Sequence, residues 1–363
     1  MTRILLGDFM VQITSRSASV PAGIVGAEGT AGHAEAPGGA PDSATAAGME
    51  QPVRRGSSQE RLRQLVHRPD AQDVFPTGLT RLTDSQFSVS AHWPRSHRFF
   101  APVAGRHQDP LLIAETMRQT TMLIAHAEFG VPLGDAFVMW ELRYVSEAER
   151  LVLGEEPWDI TVDVSCSRIQ RRGRSLGSMH LELLLHRRGT VLASGGGRIS
   201  CTSARAYQRV RGDHGAMLGA RIPLLPAVAP RTVGRTSEQD VVLAPAAAPG
   251  TWALRLDTRH PTLFSHANDH VPGILLLEAA RQAAQAASPG RTFLPTSIQA
   301  DFLQYVELDR PCWIEALPVP ADGTSPAGVR IRAVQNDEPA FICTLRTPDL
   351  LQAGLSDTRS RRP

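Results

Sequence analysis

Val271-Pro272-Gly273-Ile-Leu-Leu-Leu-Glu278-Ala-Ala-Arg281-Gln282 decides the fold, because the chain uses this pattern twice. Its earlier counterpart is Asp109-Pro110-Leu-Leu-Ile-Ala-Glu115-Thr-Met-Arg118-Gln119, with a proline, four apolar residues and then the same Glu-x-x-Arg-Gln. From position 115 to position 278 is 163 residues, close to the size of one domain. A histidine stands 18 residues before each glutamate, at His97 and His260. Proline suits a first helical turn, and Leu112, Ile113, Met117, Thr120 and Ile124 recur at helical spacing. We therefore expect one helix from Pro110 to about His126 and another from about Pro272 to Ala287. Each sets a carboxylate and a guanidinium on one helical face, at i and i+3.

Strand signals surround each helix. Gln86–His92 alternates apolar and polar residues, and Phe137–Tyr144, Trp158–Arg168, Met179–His186 and Val191–Ser200 follow the first helix. Asp240–Leu243 and Trp252–Asp257 precede the second helix, and 296–303, 312–317, 329–334 and 340–346 follow it. One helix wrapped by antiparallel strands, used twice, predicts an α+β tandem hot-dog fold. A doubly wound βαβ fold would need helices alternating with strands throughout. The expected organisation is a disordered tail over 1–60, a first hot-dog unit over 61–204, a linker over 205–237, a second unit over 238–350 and a polar tail over 351–363. The Ala, Gly, Ser and Pro of the first tail bury too little apolar surface to offset their ordering entropy.

Composition removes several function classes. A formal charge of +2 over 363 residues gives no support for a nucleic-acid binder, which usually shows a concentrated basic surface. All 38 basic residues are arginine. Without lysine there is no Schiff-base amine and no Walker A loop, and every fixed cation is a guanidinium suited to phosphate or carboxylate. Cys166, Cys201, Cys312 and Cys343 form no CxxC pair and read as small apolar strand residues. No apolar run approaches the ~20 residues of a membrane span, and the start lacks a signal-peptide core. The expectation is a cytoplasmic protein with no membrane or nucleic-acid partner. Gly195-Gly196-Gly197 is expected to form a bulge or tight bend in a strand, since no helix follows it as a phosphate loop requires.

The chemistry is expected around the repeated pairs. A buried carboxylate must be paired or functional, so these glutamates are either fold-defining polar groups or working ones. The second copy has the richer lead-in, with His260, His266, Asp269 and His270 before Pro272-Gly273. A helix N-terminus offers free amides to an oxyanion, and Gly273 admits a close ligand. His266 and His270 lie at i and i+4 but precede the helix, outside the register of a zinc protease, so no metal is expected.

These features, with Val66-His67-Arg68, Trp93-Pro94-Arg95, Asp109-Pro110 and Val131-Pro132-Leu133-Gly134, resemble the A-factor biosynthesis (AfsA-like) hot-dog family from about Leu65 to Thr347. The resemblance implies an acyltransferase of γ-butyrolactone signal biosynthesis. It would join a 3-oxoacyl group, on acyl carrier protein or CoA, to the free hydroxyl of dihydroxyacetone phosphate, with no cofactor. The ester would then close to a butenolide phosphate. The implied catalytic residues are Glu115, Glu278 and Arg281. On this reading Glu278 is a base with a raised pKa, Arg281 holds phosphate, and Glu115 orients a partner. His266, Asp269, His270, Gly273 and Arg118 are candidate substrate contacts, and an apolar tunnel beside the helix holds the acyl chain. The second helix is also similar to that of β-hydroxyacyl-carrier-protein dehydratases, but Phe264 stands where their catalytic histidine belongs. A thioesterase or dehydratase, or a non-enzymatic acyl- or butenolide-binding protein, remains the alternative, and a homodimer stays open.

Overall fold

The computed structural model describes residues 55–173, 175–321 and 326–347. Both expected tails lie outside these residues, apart from 55–60. The central helices α2 (Leu111–Ala127) and α4 (Gly273–Ala286) form within a residue or two of expectation. Nearly every position of each is buried, as befits a helix wrapped by a sheet. The short helices are α1 (Arg55–Leu65) and α3 (Ala204–Arg211).

In the first half the strands are β1 (Pro76–Arg81), β2 (Gln86–Trp93), β3 (Ala136–Ser146), β4 (Trp158–Arg172), β5 (Ser175–Arg187) and β6 (Thr190–Thr202). In the second they are β7 (Leu243–Pro245), β8 (Thr251–Leu254), β9 (Ser297–Phe302), β10 (Trp313–Val319), β11 (Gly328–Gln335) and β12 (Glu338–Arg346). They form one antiparallel sheet in the order β1-β2-β4-β5-β6-β3-β9-β12-β11-β10-β8-β7. Read inward from either end, the two halves have the same order. The seam is β3 against β9, with Leu142 opposite Ala300 and Tyr144 opposite Ile298. This is the expected tandem hot-dog fold, with one sheet continued through a pseudo-two-fold axis.

Burial follows the strand period. In β4, Trp158, Ile160, Val162, Val164 and Cys166 face the core while the residues between them are exposed. Gly195, Gly196 and Gly197 lie within β6 as expected, and a bulge-type register shift falls beside the run, between Met139 and Glu141 of β3. A Cβ on Gly195 would sit 2.5 Å from the Arg143 carbonyl and 2.9 Å from Met117 Cε. Glycine there lets the sheet close on α2.

The stretch 205–237, expected as a linker, contains most of α3 and short 3-10 turns, and it delivers Arg235 to the core. All four cysteines are buried. Burial pushes the Cys166, Cys201 and Cys312 thiols up to about 12, and Cys343 higher still. No helix among the described residues is long and apolar enough to cross a membrane.

Candidate active site

Each central helix brings its glutamate to two arginines. Arg68 donates Nε and Nη2 to Glu115 Oε1 at 2.9 and 2.7 Å. Arg118 donates Nε to Oε2 at 3.0 Å and Nη2 to Oε1 at 2.8 Å. Gln119 adds Nε2 to Oε1 at 2.7 Å. The second half repeats this. Arg235 Nε reaches Glu278 Oε1 at 2.8 Å, Arg281 donates to both oxygens at 2.8 and 2.6 Å, and Gln282 adds 2.5 Å. Each glutamine also bonds the incoming chain, Gln119 to Asp73 O and Phe75 N, and Gln282 to Asp240 O and Val242 N.

The third arm of each clasp crosses between the halves. Arg68 Nη1 donates to Thr262 O and Ser265 Oγ, both at 2.8 Å, in the lead-in to α4. Arg235 Nη1 donates to Phe99 O at 2.7 Å, in the lead-in to α2. Those loops are shaped by the paired histidines. His97 Nδ1 accepts from Phe99 N and Phe100 N, and His260 Nδ1 accepts from Thr262 N and Leu263 N. Their other nitrogens lie 3.0 and 3.1 Å from Asp73 and Asp240.

This crossing corrects the expected assignment. The histidine-rich lead-in was expected to equip Glu278 on its own helix. Instead Ser265 bonds Arg68, the arginine that holds Glu115, and His266 lies within electrostatic reach of Arg118 and Arg68. The expected raised pKa of Glu278 is also reversed. Burial alone would raise it, but Arg235 and then Arg281 outweigh burial and hold it at about 2. Glu115 is likewise held at about 2, burial being overcome by Arg118 and Arg68. Both carboxylates are fixed anions. Arg281 is committed to Glu278 and buried, so it presents no free fork to a phosphate.

The two clusters differ in what faces them. The Arg118 side chain is 23% exposed, against 4% for Arg281. Arg118 Nη1 has only the Met122 thioether as partner, a weak acceptor. Two guanidiniums against one carboxylate leave a surplus positive charge beside that opening. Around it stand His67, His126 and His266, with His67–His126 ring centroids 5.0 Å apart and His67–His266 centroids 6.4 Å apart. Burial, then His126, Arg118 and His266, lower His67 to about 3. Enclosure by neighbouring groups, then Arg118, Arg68 and His270, lower His266 to about 4. At the second cluster Gly234 occupies the place of His67. The buried carboxyl of Asp109 stands within electrostatic reach of Arg235, Arg281 and Glu278, and burial raises its pKa.

The remaining candidates sit elsewhere. Asp269 accepts from Tyr207 Oη at 2.7 Å and Arg211 Nε at 2.9 Å, and pairs with His270 Nδ1 at 2.6 Å. Arg211 also grips Glu307. Asp269 and His270 thus fasten α3 to the second half. A Cβ on Gly273 would meet Phe302 at 3.1 Å, so the ring lies over the opening of α4. Among the described residues no three His, Cys, Asp or Glu side chains are grouped to hold a metal.

Arg68, Arg235, Asp73 and Asp240 were not anticipated. A signal existed: Val66-His-Arg-Pro-Asp-Ala-Gln-Asp-Val74 matches Val233-Gly-Arg-Thr-Ser-Glu-Gln-Asp-Val241 at five of nine positions. An acyl tunnel was expected beside the central helix; the apolar void beside α2 is far smaller than an acyl chain. It is lined by Met117, Thr121, Met139, Leu142, Leu181 and Gly197, with room for about one water.

The A-factor biosynthesis hotdog domain matches residues 51–203 and 220–347. A 2-oxo-3-(phosphooxy)propyl 3-oxoalkanoate synthase of Streptomyces virginiae is 48% identical over 285 residues, spanning 78% of this chain and 96% of its own. A protein of the same name from Streptomyces coelicolor is 42% identical over 284 residues, 78% of this chain and 90% of its own. Among solved structures, a 12:0-ACP thioesterase from Umbellularia californica aligns at TM-score 0.43 and 15% identity, covering 74% of this chain and 98% of that one.

Proposed function

The chain belongs to the A-factor biosynthesis hotdog family, and on that premise we propose that it makes the ester for which its relatives are named. It is an acyltransferase that moves a 3-oxoacyl group from a thioester to the free hydroxyl of dihydroxyacetone phosphate. The hydroxyl oxygen attacks the thioester carbonyl, the C–S bond breaks, and the hydroxyl proton leaves with the thiol. The ester then cyclises by condensation of its active methylene with the ketone, losing water to give a butenolide phosphate. The donor thiol belongs to an acyl carrier protein or CoA.

The observation that carries this reading is the open, positively charged cluster at Glu115, Arg68 and Arg118. A phosphate dianion needs a guanidinium that can spare a donor and a route from solvent; Arg118 Nη1, held only by the weakly accepting Met122 thioether, and the part-exposed Arg118 side chain supply them. Glu115 holds Arg118 in place by an ion pair in the same helix turn. Glu278 and Arg281 take the matching role at the sealed cluster, where they clamp Arg235 across the two halves. The 3-oxoacyl chain lies along α2, in the void closed by Met117 and Met139. Methionine side chains have the freedom to swing aside for it.

The test is mass spectrometry of the purified protein with a 3-oxoacyl thioester and dihydroxyacetone phosphate. The expected product is the phosphorylated ester, or its cyclised form, only when both substrates are present. Free 3-oxo acid released at the same rate without dihydroxyacetone phosphate would instead identify a thioesterase.

A further inference from the structure

The three imidazoles at the open cluster have no counterparts at the sealed one, and their hydrogen bonds fix a direction. His126 Nδ1 lies 2.6 Å from the Val131 carbonyl, which accepts only, so that nitrogen carries the proton. His126 Nε2 is then bare, and it lies 3.0 Å from His67 Nε2. His67 must donate from Nε2, which leaves His67 Nδ1 with a free lone pair. A carbonyl, a buried histidine and a second histidine thus form a chain that sets one tautomer at its outer end.

The backbone marks the same residue. His67 has φ +53°, a left-handed conformation that a residue with a Cβ adopts at a cost, whereas its counterpart Gly234 has φ +72°. The fold needs this turn twice, since each copy sends an arginine from the next position to the neighbouring helix. Glycine serves the turn alone in the second half. In the first half a strained histidine replaces it, and strain retained in one copy only points to function. Arg118 Nη2 donates to the Val66 carbonyl at 3.3 Å, which ties the guanidinium to the backbone directly before His67. His266 stands on the other side, and Ser265 is held by Arg68.

We propose that His67 is the general base of the acyl transfer, positioned by His126, with Arg118 beside it to receive the phosphate. The proposal rests on the acyltransferase reading. His67 Nδ1 takes the proton from the dihydroxyacetone phosphate hydroxyl as its oxygen attacks the thioester carbonyl. When the tetrahedral intermediate collapses and the C–S bond breaks, the imidazolium returns that proton to the departing thiolate. The ring is neutral at physiological pH, as a base must be before it acts. The phosphate dianion at Arg118 offsets the neighbouring positive charge and raises the ring's affinity for the proton at the moment it is needed. Glu115 is occupied by Arg68, Arg118 and Gln119 and serves as the scaffold.

His67→Gly tests this without loss of fold, because glycine is what the second half carries at this turn. Ester formation is expected to fall by about 10²–10⁴-fold, the usual contribution of general base catalysis. Added imidazole is expected to restore part of the rate, while thermal stability stays at or above that of the unaltered protein. His67→Asn, which tolerates the left-handed turn, should lose the same activity without imidazole recovery. Turnover within a few-fold of the unaltered protein in either variant overturns the assignment, as does a loss in His67→Gly that imidazole does not relieve. If the unaltered protein itself forms no ester, the acyltransferase reading fails instead.

Discussion

Glu278 and His67 illustrate two ways in which one side chain can be indispensable. Glu278 accepts from Arg235, Arg281 and Gln282 with no exposure to solvent. Removing its charge leaves two buried guanidiniums uncompensated, which costs about 3–5 kcal/mol for a broken buried pair. We expect Glu278→Gln to lower the melting temperature and the activity together, whereas His67→Gly lowers activity alone. Thermal unfolding followed beside turnover separates the two cases. Acid stability carries the same signature. The folded-state pKa of His67 is lowered from 6.5, and those of Glu115 and Glu278 from 4.5. In all three the unfolded chain binds protons more readily, so their stabilisation is complete at high pH. The histidine contribution is lost as pH falls from 6.5 towards 3, and the glutamate contribution as it falls from 4.5 towards 2. Denaturant midpoints between pH 8 and pH 3 should therefore be level above about 7 and decline below it. A midpoint that rises on acidification would contradict the assignment of these groups.

At the scale of elements, α2 and α4 were legible because their apolar residues recur at helical spacing behind a proline. β4 was legible because its inward and outward residues alternate. β1 was not, since Pro76 and Gly78 punctuate a short edge strand that is held by β2. Nor was α3, whose arginine-rich sequence has no core face of its own. It is held from outside, by Asp269 and Glu307 on Arg211 and by Asp269 on Tyr207. Asp269→Ala should therefore raise amide hydrogen exchange across Ala204–Met217 with little change in α4. Equal exchange in the variant would remove α3 from dependence on that carboxylate. The glycine run in β6 makes a sharper demand. Gly195→Ala places a methyl 2.5 Å from a carbonyl oxygen of β3, so strand and helix must part. Overpacking of this kind costs about 1–3 kcal/mol, readable as a lower denaturation midpoint.

For the molecule as a whole, the decisive fact is that two copies of one motif serve each other's halves. The helix repeat was plain in the sequence, and so was the idea that one copy works while the other supports it. Which copy lies open to solvent could not be read, because adjacency along the chain differs from adjacency in space. Ser265 and His266 precede α4 by a few residues, yet the pseudo-two-fold axis delivers them to the arginines that hold Glu115 on α2. The shared Val-x-Arg and Gln-Asp-Val of 66–74 and 233–241 contained the missing link, since Arg68 and Arg235 are the side chains that cross. The sheet continues through β3 and β9, so the crossing is completed within one chain.

The central claim is that the open cluster receives dihydroxyacetone phosphate. Arg118→Gln tests it most directly, because Arg68 and Gln119 still hold Glu115 in that variant. Initial rates of ester formation across dihydroxyacetone phosphate concentrations should show KM for that substrate raised by about tenfold or more, the loss of one charge-assisted contact, with KM for the acyl thioester unchanged. An unchanged KM for dihydroxyacetone phosphate would place the phosphate elsewhere and contradict the account.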